Sequence, residues 1–190
     1  MPDLLGVHII GICGKAGAGK DTFYEHVLKP RGYLRLSMTL HYKTWLVGTG
    51  RATFEEVFVT KPPRVRKILQ EEITAVRYEY SESIWINVLK SWMVSLHEIV
   101  GVDVSRVAVT DLRFLIEMRG IKAMGGKILH IEAADEQANM APELRGHRSE
   151  IELDSPEVLT LRDAHFYNKK DGIGIIAEAG DDILHQWGWL

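Results

Sequence analysis

A chain of 190 residues that is 46% hydrophobic and 26% charged has the composition of a globular protein with one substantial core, and a single domain is expected. Its formal charge of −3 excludes a global basic field of the kind that holds duplex nucleic acid, so anion binding must come from locally placed Arg and Lys. The lone cysteine, Cys13, excludes an internal disulfide or a cysteine zinc cluster, and the apolar N-terminal run is broken far short of the roughly 20 residues of a membrane span. A cytoplasmic protein is expected, with small-molecule partners and neither nucleic acid nor membrane.

Val7 to Cys13 is a near-continuous apolar run, the pattern of a strand buried on both faces of a parallel sheet. A glycine loop follows, and "KDTFYEHVLKP" reads as a helix stopped before Pro30. "GYLRLS" is a second, short strand. From Thr39 to about Val100 the pattern is mostly helical, most clearly in "RVRKILQEEITAVRYEY" and "SIWINVLKSWMVSLHEIV", where apolar residues recur every three or four positions. "RVAVTD" is a third strand, "FLIEMRGIKAMG" a helix and "GKILHIEA" a fourth strand. The charged stretch "ELRGHRSEIELD" reads as a mobile surface segment, "GIGIIAEAG" as a fifth strand and "DDILHQW" as a short closing helix. This alternation predicts an α/β fold with a five-stranded parallel sheet, helices on both faces, and ligands at the carboxyl ends of the strands. His8, in a buried strand, is expected to be a satisfied core residue.

The loop "GKAGAGKDT" carries G-x-x-x-x-G-K between a strand and a helix, the context a phosphate-binding P-loop requires. Gly14, Gly17 and Gly19 let the backbone curl, so that the stretch Gly14, Lys15, Ala16, Gly17, Ala18, Gly19, Lys20, Asp21 and Thr22 is expected to cradle ATP. Lys20 reaches the β- and γ-phosphates. The bland alternative is a glycine turn that merely joins strand to helix. Asp21 stands where Ser or Thr is usual. A free carboxylate about 4 Å from a phosphate is repelled by roughly 4 kcal/mol at an effective dielectric near 20, against about 0.3–1 kcal/mol returned by a helix N-terminus. Asp21 must therefore face Mg²⁺ or its waters, or turn away into a hydrogen-bonded helix start, leaving Thr22 for phosphate. Downstream, Asp111 ends the third strand and Arg113 follows two residues later. That places a metal-holding carboxylate and a cation beside the P-loop, the alternative being a helix cap and a surface ion pair.

"GKDT" resembles the nucleoside monophosphate kinases, and specifically the tailed-phage deoxynucleoside monophosphate kinases. The pattern D-x-R, helix, "AMGGKILHI" is similar to the same family, as are His147, Ser149 and Glu150 in "GHRSE", Arg66 and Gln70 in "VRKILQ", and Trp85 in "IWINVLK". The chain departs from the pattern in "SMTLHYK", which keeps only Lys43, and at Glu71 and Glu72. The resemblance implies a P-loop kinase with a core of residues 1–38 and 101–190, a helical acceptor-binding region at 39–100 and a lid at about 133–149. It implies ATP and Mg²⁺ as cofactors, with Asp111 and Asp21 as metal candidates. Arg66 would grip the acceptor phosphate, with Lys43, Gln70 and Trp85 around the acceptor. Arg113, Arg145 and Arg148 would join Lys20 in stabilising the transferred group. No general base is demanded, because a monophosphate oxygen is already an anion. Related kinases suggest a homodimer. Two other readings stay open: another small-molecule kinase on the same scaffold, and a nucleotide-binding switch protein without turnover.

Overall fold

In the computed structural model, which describes residues 6–134, 151–169 and 172–190, five strands form one parallel sheet: β1 (His8–Cys13), β2 (Leu34–Leu36), β3 (Arg106–Leu112), β4 (Lys127–Ala133) and β5 (Ala164–Asn168). Their spatial order is β2-β3-β1-β4-β5. The chain passes from β1 to one edge of the sheet through α1 (Lys20–Phe23), which continues as a π-type turn (Tyr24–Leu28) and a 3-10 turn (Lys29–Arg31). After β3 it passes through α5 (Leu115–Ala123) to β4, on the other side of β1. The order therefore reverses at β1 and β3, and a crevice opens beyond their carboxyl ends.

Alternation along β1 explains its unbroken apolar sequence. Ile9 and Cys13 face one core with Val107, Val109 and Met118, while Ile10 and Ile12 face the other with Val27, Leu129 and Ile183. Between β2 and β3 the chain is helical, as its periodicity predicts. This region comprises α2 (Leu40–Gly48), a π-type segment (Glu55–Thr60), α3 (Pro63–Glu79), α4 (Ile84–Ser95) and a further π-type turn (Leu96–Val100). It has a small core of its own from Leu46, Ala52, Val57 and Val65. No helix among the described residues is long and apolar enough to cross a membrane.

Three local expectations are corrected. "GIGIIAEAG" is not the fifth strand but the start of a helix, α7 (Ile173–Gln186), into which the expected closing helix merges. Ile176, Gly180, Ile183 and Leu184 are buried at helical spacing, so the period of 3.6 wins over a short β-like run. The fifth strand is instead "AHFYN", which pairs with β4 from Leu129↔Ala164 to Ala133↔Asn168. The end of the charged stretch is not loose: Glu152–Asp154 is a 3-10 turn with Leu153 fully buried, followed by α6 (Pro156–Leu161). The first helix does not stop before Pro30 but tightens through it, because a proline near the start of a 3-10 turn forfeits no needed N–H.

Candidate active site

The P-loop is held by its neighbours as well as by its glycines. Gly14 has φ +143°, and a Cβ there would lie 2.1 Å from the Ile131 carbonyl oxygen of β4. Gly19 has φ +100°, and a Cβ would lie 2.4 Å from the Asn168 amide nitrogen. That amide donates to the Ala18 carbonyl at 3.0 Å, so the end of β5 fastens the loop. Lys20 folds its ammonium back onto the carbonyls of Gly14 (2.6 Å) and Lys15 (2.7 Å). The backbone N–H groups of Ala16, Gly17 and Gly19 make no hydrogen bond within the described residues. Donors without partners, close backbone approach and an ammonium at the loop's centre fit a polyphosphate. The side chain of Lys15 pairs with Asp154 at 2.8 Å, so the 3-10 turn at 152–154 is fastened to the loop.

Asp21 accepts a hydrogen bond from the guanidinium of Arg35 on β2. Arg35 is fixed in turn, its Nε donating to Thr110 Oγ1 of β3 at 2.9 Å and its guanidinium lying 5.2 Å from the Tyr24 ring centroid. An arginine at its side offsets the repulsion a bare carboxylate would exert on a bound phosphate. Thr22, the displaced hydroxyl residue, is half-buried in the same turn.

Asp111 lies at the tip of β3, where the register with β1 shifts between Gly11 and Cys13. Its carboxylate accepts from Ser37 Oγ at 2.5 Å and from the Met38 N–H at 3.0 Å, with the Lys43 ammonium 3.6 Å away. Lys43 also donates to Ser37 Oγ at 2.9 Å. Burial alone would raise the Asp111 pKa, but Lys43, the Ser37 hydroxyl, the Met38 amide and Arg113 outweigh it, and the pKa falls below the ordinary Asp value. Asp111 is thus an ionised carboxylate. Arg113 is half-buried, and its own N–H donates to Glu117 Oε2 at 2.8 Å.

The acceptor candidates are placed as follows. Arg66, in the first turn of α3, donates from Nε to the Lys61 carbonyl at 2.6 Å. Lys61 adopts φ +47°, a left-handed conformation that costs a non-glycine residue on the order of 1–3 kcal/mol and persists only where the surroundings enforce it. Here the Arg66 contact, the Glu56 carbonyl accepting the Lys61 N–H at 3.0 Å, and the two prolines that follow enforce it. Lys61 has an exposed surface, yet its pKa is lowered. The causes are desolvation first, then the cations Lys43, Arg35 and Arg66, against an upward pull from Asp21. Arg35 thus pairs with Asp21 and Lys43 with Asp111, while Lys61, itself within reach of Asp21, feels Lys43, Arg35 and Arg66. Gln70 is half-buried further along α3. Trp85 is in the core, its indole N–H donating to the Ile73 carbonyl at 3.1 Å and its ring centroid 5.1 Å from that of His41. Arg145, Arg148, His147, Ser149, Glu150 and nearly all of the expected lid lie outside the described residues.

Sequence reasoning missed Arg35, Ser37, Lys61, Asn168 and the anchoring pair Glu152 and Asp154. Glu152 Oε1 accepts the Leu115 N–H at 2.7 Å, beside Arg113. The "KPP" turn at Lys61 was the one legible signal among them, since prolines mark a rigid turn. Among the described residues no three imidazole, thiolate or carboxylate side chains converge on a metal position. The oxygens of Asp111 and Ser37 nevertheless suit Mg²⁺, which takes one or two protein ligands and fills the rest with phosphate and water.

No family model matches the sequence, and no curated protein matches it in sequence. In three dimensions it is similar to dephospho-CoA kinase from Campylobacter jejuni, at a TM-score of 0.52 and 14% identity over 94% of this chain and 96% of that one. It is similar as well to shikimate kinase from Bacteroides thetaiotaomicron (0.51, 12%, 95% and 98%). The chain shares their fold, an α/β architecture on a five-stranded parallel sheet. TT1252 from Thermus thermophilus shares it too, at a TM-score of 0.51 and 16% identity over 95% of this chain and 97% of that one. Within this fold, the glycine loop and Asp111 lie at the carboxyl ends of the central strands, on the two sides of the topological switch.

Proposed function

We propose that the chain transfers the terminal phosphoryl group of ATP to a deoxynucleoside monophosphate, giving the diphosphate and ADP. The observation that carries this reading is the second set of cations. Lys20 serves the donor side, while Arg35 and Lys43 pair with Asp21 and Asp111, and Lys61 stands close enough to both of those cations and to Arg66 for its own charge to be disfavoured. Such a group suits an acceptor that brings its own negative charge, and a monophosphate does.

Mg²⁺–ATP supplies the phosphoryl group, and the metal draws charge off its oxygens. The residues of the chain position the partners and stabilise charge. The loop amides and Lys20 hold the donor phosphates, and Asp111 with Ser37 orients the metal. Arg66, assisted by Lys61, grips the acceptor phosphate, with Lys43, Gln70 and His41 beside the acceptor, while Trp85, expected there, is buried in the core and backs His41. The bond from the γ-phosphorus to the bridging oxygen breaks, a bond to the acceptor oxygen forms, and ADP leaves. Arg113, with Arg145 and Arg148, stabilises the charge on the moving group.

One observation favours a second reading. Two of the structures similar to this one are by name dephospho-CoA kinase and shikimate kinase, and Asp111 is an anion at the crevice that can accept a hydrogen bond from a hydroxyl acceptor and orient it. A coupled assay of ADP release separates the readings. Turnover with one or more deoxynucleoside monophosphates is expected. Turnover only with dephospho-CoA, shikimate or another hydroxyl acceptor favours the second reading, and ATP binding with a flat panel favours a switch protein.

A further inference from the structure

Two buried charges have no part in the chemistry above. Arg77, near the end of α3, is 7% exposed, and Glu117 on α5 is 3% exposed. They form a salt bridge. Arg77 also donates to the Glu82 carbonyl at 3.1 Å and lies 4.0 Å from the Phe114 ring centroid. The other oxygen of Glu117 accepts the N–H groups of Arg113 at 2.8 Å and Phe114 at 3.1 Å. One carboxylate thus holds the two residues that follow the tip of β3, and one guanidinium holds that carboxylate to α3. Arg66 stands eleven positions earlier on α3 than Arg77, roughly 16 Å along the axis.

A buried ion pair is weak evidence of a stabilising role, because its desolvation cost rivals its attraction and an apolar pair of equal volume is often as stable. What it supplies is a fixed geometry between two elements. We infer that Arg77 and Glu117 are positioning residues that set Arg113 against the helix carrying Arg66. This rests on the roles proposed for Arg113 and Arg66. The turn is braced from the other side by Glu152 on the Leu115 amide, so losing the pair displaces it without releasing it.

The test is the double variant Arg77→Met/Glu117→Gln, which removes both charges at similar volume, with Glu117→Gln alone as a second variant that keeps the acceptor for the two amides. In the double variant, amide exchange should quicken across residues 111–118 and stay unchanged in the P-loop. Because a displacement of about 1 Å can cost on the order of a hundredfold in rate, kcat should fall by up to that factor while KM for ATP holds. Glu117→Gln should show the same signs with a larger loss of Tm, since it leaves the Arg77 charge buried without its partner. Ile183→Ala, a core truncation on the opposite face of the sheet, should lower Tm and leave kcat intact. A folded double variant with wild-type kcat, or an equal loss of kcat in Ile183→Ala, overturns the inference. If the wild type turns over no acceptor, the proposed function fails, and exchange alone then decides the pair: unchanged exchange across 111–118 overturns it and faster exchange supports it.

Discussion

The two sides of the crevice are built differently. On the proposed donor side the groups that would meet the anion are local: Lys20 bonds carbonyls five and six residues back, and the glycines set the backbone within one short loop. Asn168 and Asp154 then fasten that loop from far along the chain. On the proposed acceptor side the contacts that join the elements are long-range. Asp111 meets Ser37 across 74 positions and Arg35 meets Thr110 across 75, while Lys61 with Arg66 at the start of α3, and Lys43 with Ser37, add local pairs. A site made of backbone is written in consecutive residues, whereas a site made of side chains from four elements exists only once the sheet has paired. That is why "GKAGAGKDT" announces a phosphate cradle while no short stretch announces the acceptor.

The comparison yields ordered expectations. Lys20→Ala should cost about a thousandfold in turnover, since it removes a charge preorganised for the transferring phosphates. Arg113→Ala should cost a similar factor if it touches the moving group; a loss under tenfold in the same ADP-release assay would return it to surface duty. Gly14→Ala should lower stability, through backbone strain of about 1–3 kcal/mol together with the clash at Ile131. Thermal unfolding should register this as several degrees at about 2–4 °C per kcal/mol. Lys61→Ala should raise KM for the acceptor roughly tenfold, the worth of one charge-assisted hydrogen bond at about 1.5 kcal/mol, and leave KM for ATP unchanged. Equal shifts in both constants would mean that the two sides are not separate.

A further effect, absent at neutral pH, lies behind the proposed donor side. His130 of β4 is buried with Nδ1 unpartnered, and its pKa is lowered to about 4, by burial first and then by His165 and Arg162. Between about pH 6.5 and 4 the unfolded chain therefore binds a proton that the folded one refuses. Stability from this group is complete above 6.5 and is lost as the pH falls to about 4, by at most about 1.4 kcal/mol per pH unit. His130→Phe should flatten that part of the stability curve in denaturant titrations. A wild-type and a variant curve that run parallel would show that His130 does not titrate in this window.

Reading from sequence succeeded where one period or one motif decides a segment. Val7–Cys13, "RVAVTD" and "GKILHIEA" are strands because both of their faces are apolar, and residues 39 to 100 are helical because their apolar positions recur every three or four. It failed at "GIGIIAEAG", where isoleucines and glycines suit a strand and a helix alike until Ile176 and Ile183 are seen to share one buried face. It also failed for His8, expected to be satisfied: the ring stacks on Trp189 at 4.5 Å while its Nδ1 is buried without a partner. A residue 181 positions away supplies that stack.

Composition, periodicity and the glycine loop determined by themselves that this is an α/β chain with a G-x-x-x-x-G-K loop after its first strand, because those properties reside in neighbouring residues and survive in any short window. Tertiary structure alone decided what Asp21 does. Its carboxylate is offset by Arg35 only because β2 ends up one strand away from β1, with Thr110 of β3 between them to orient the guanidinium. Pairing of distant strands sets which charges meet, and Coulomb energy depends on that distance in space rather than on separation along the chain.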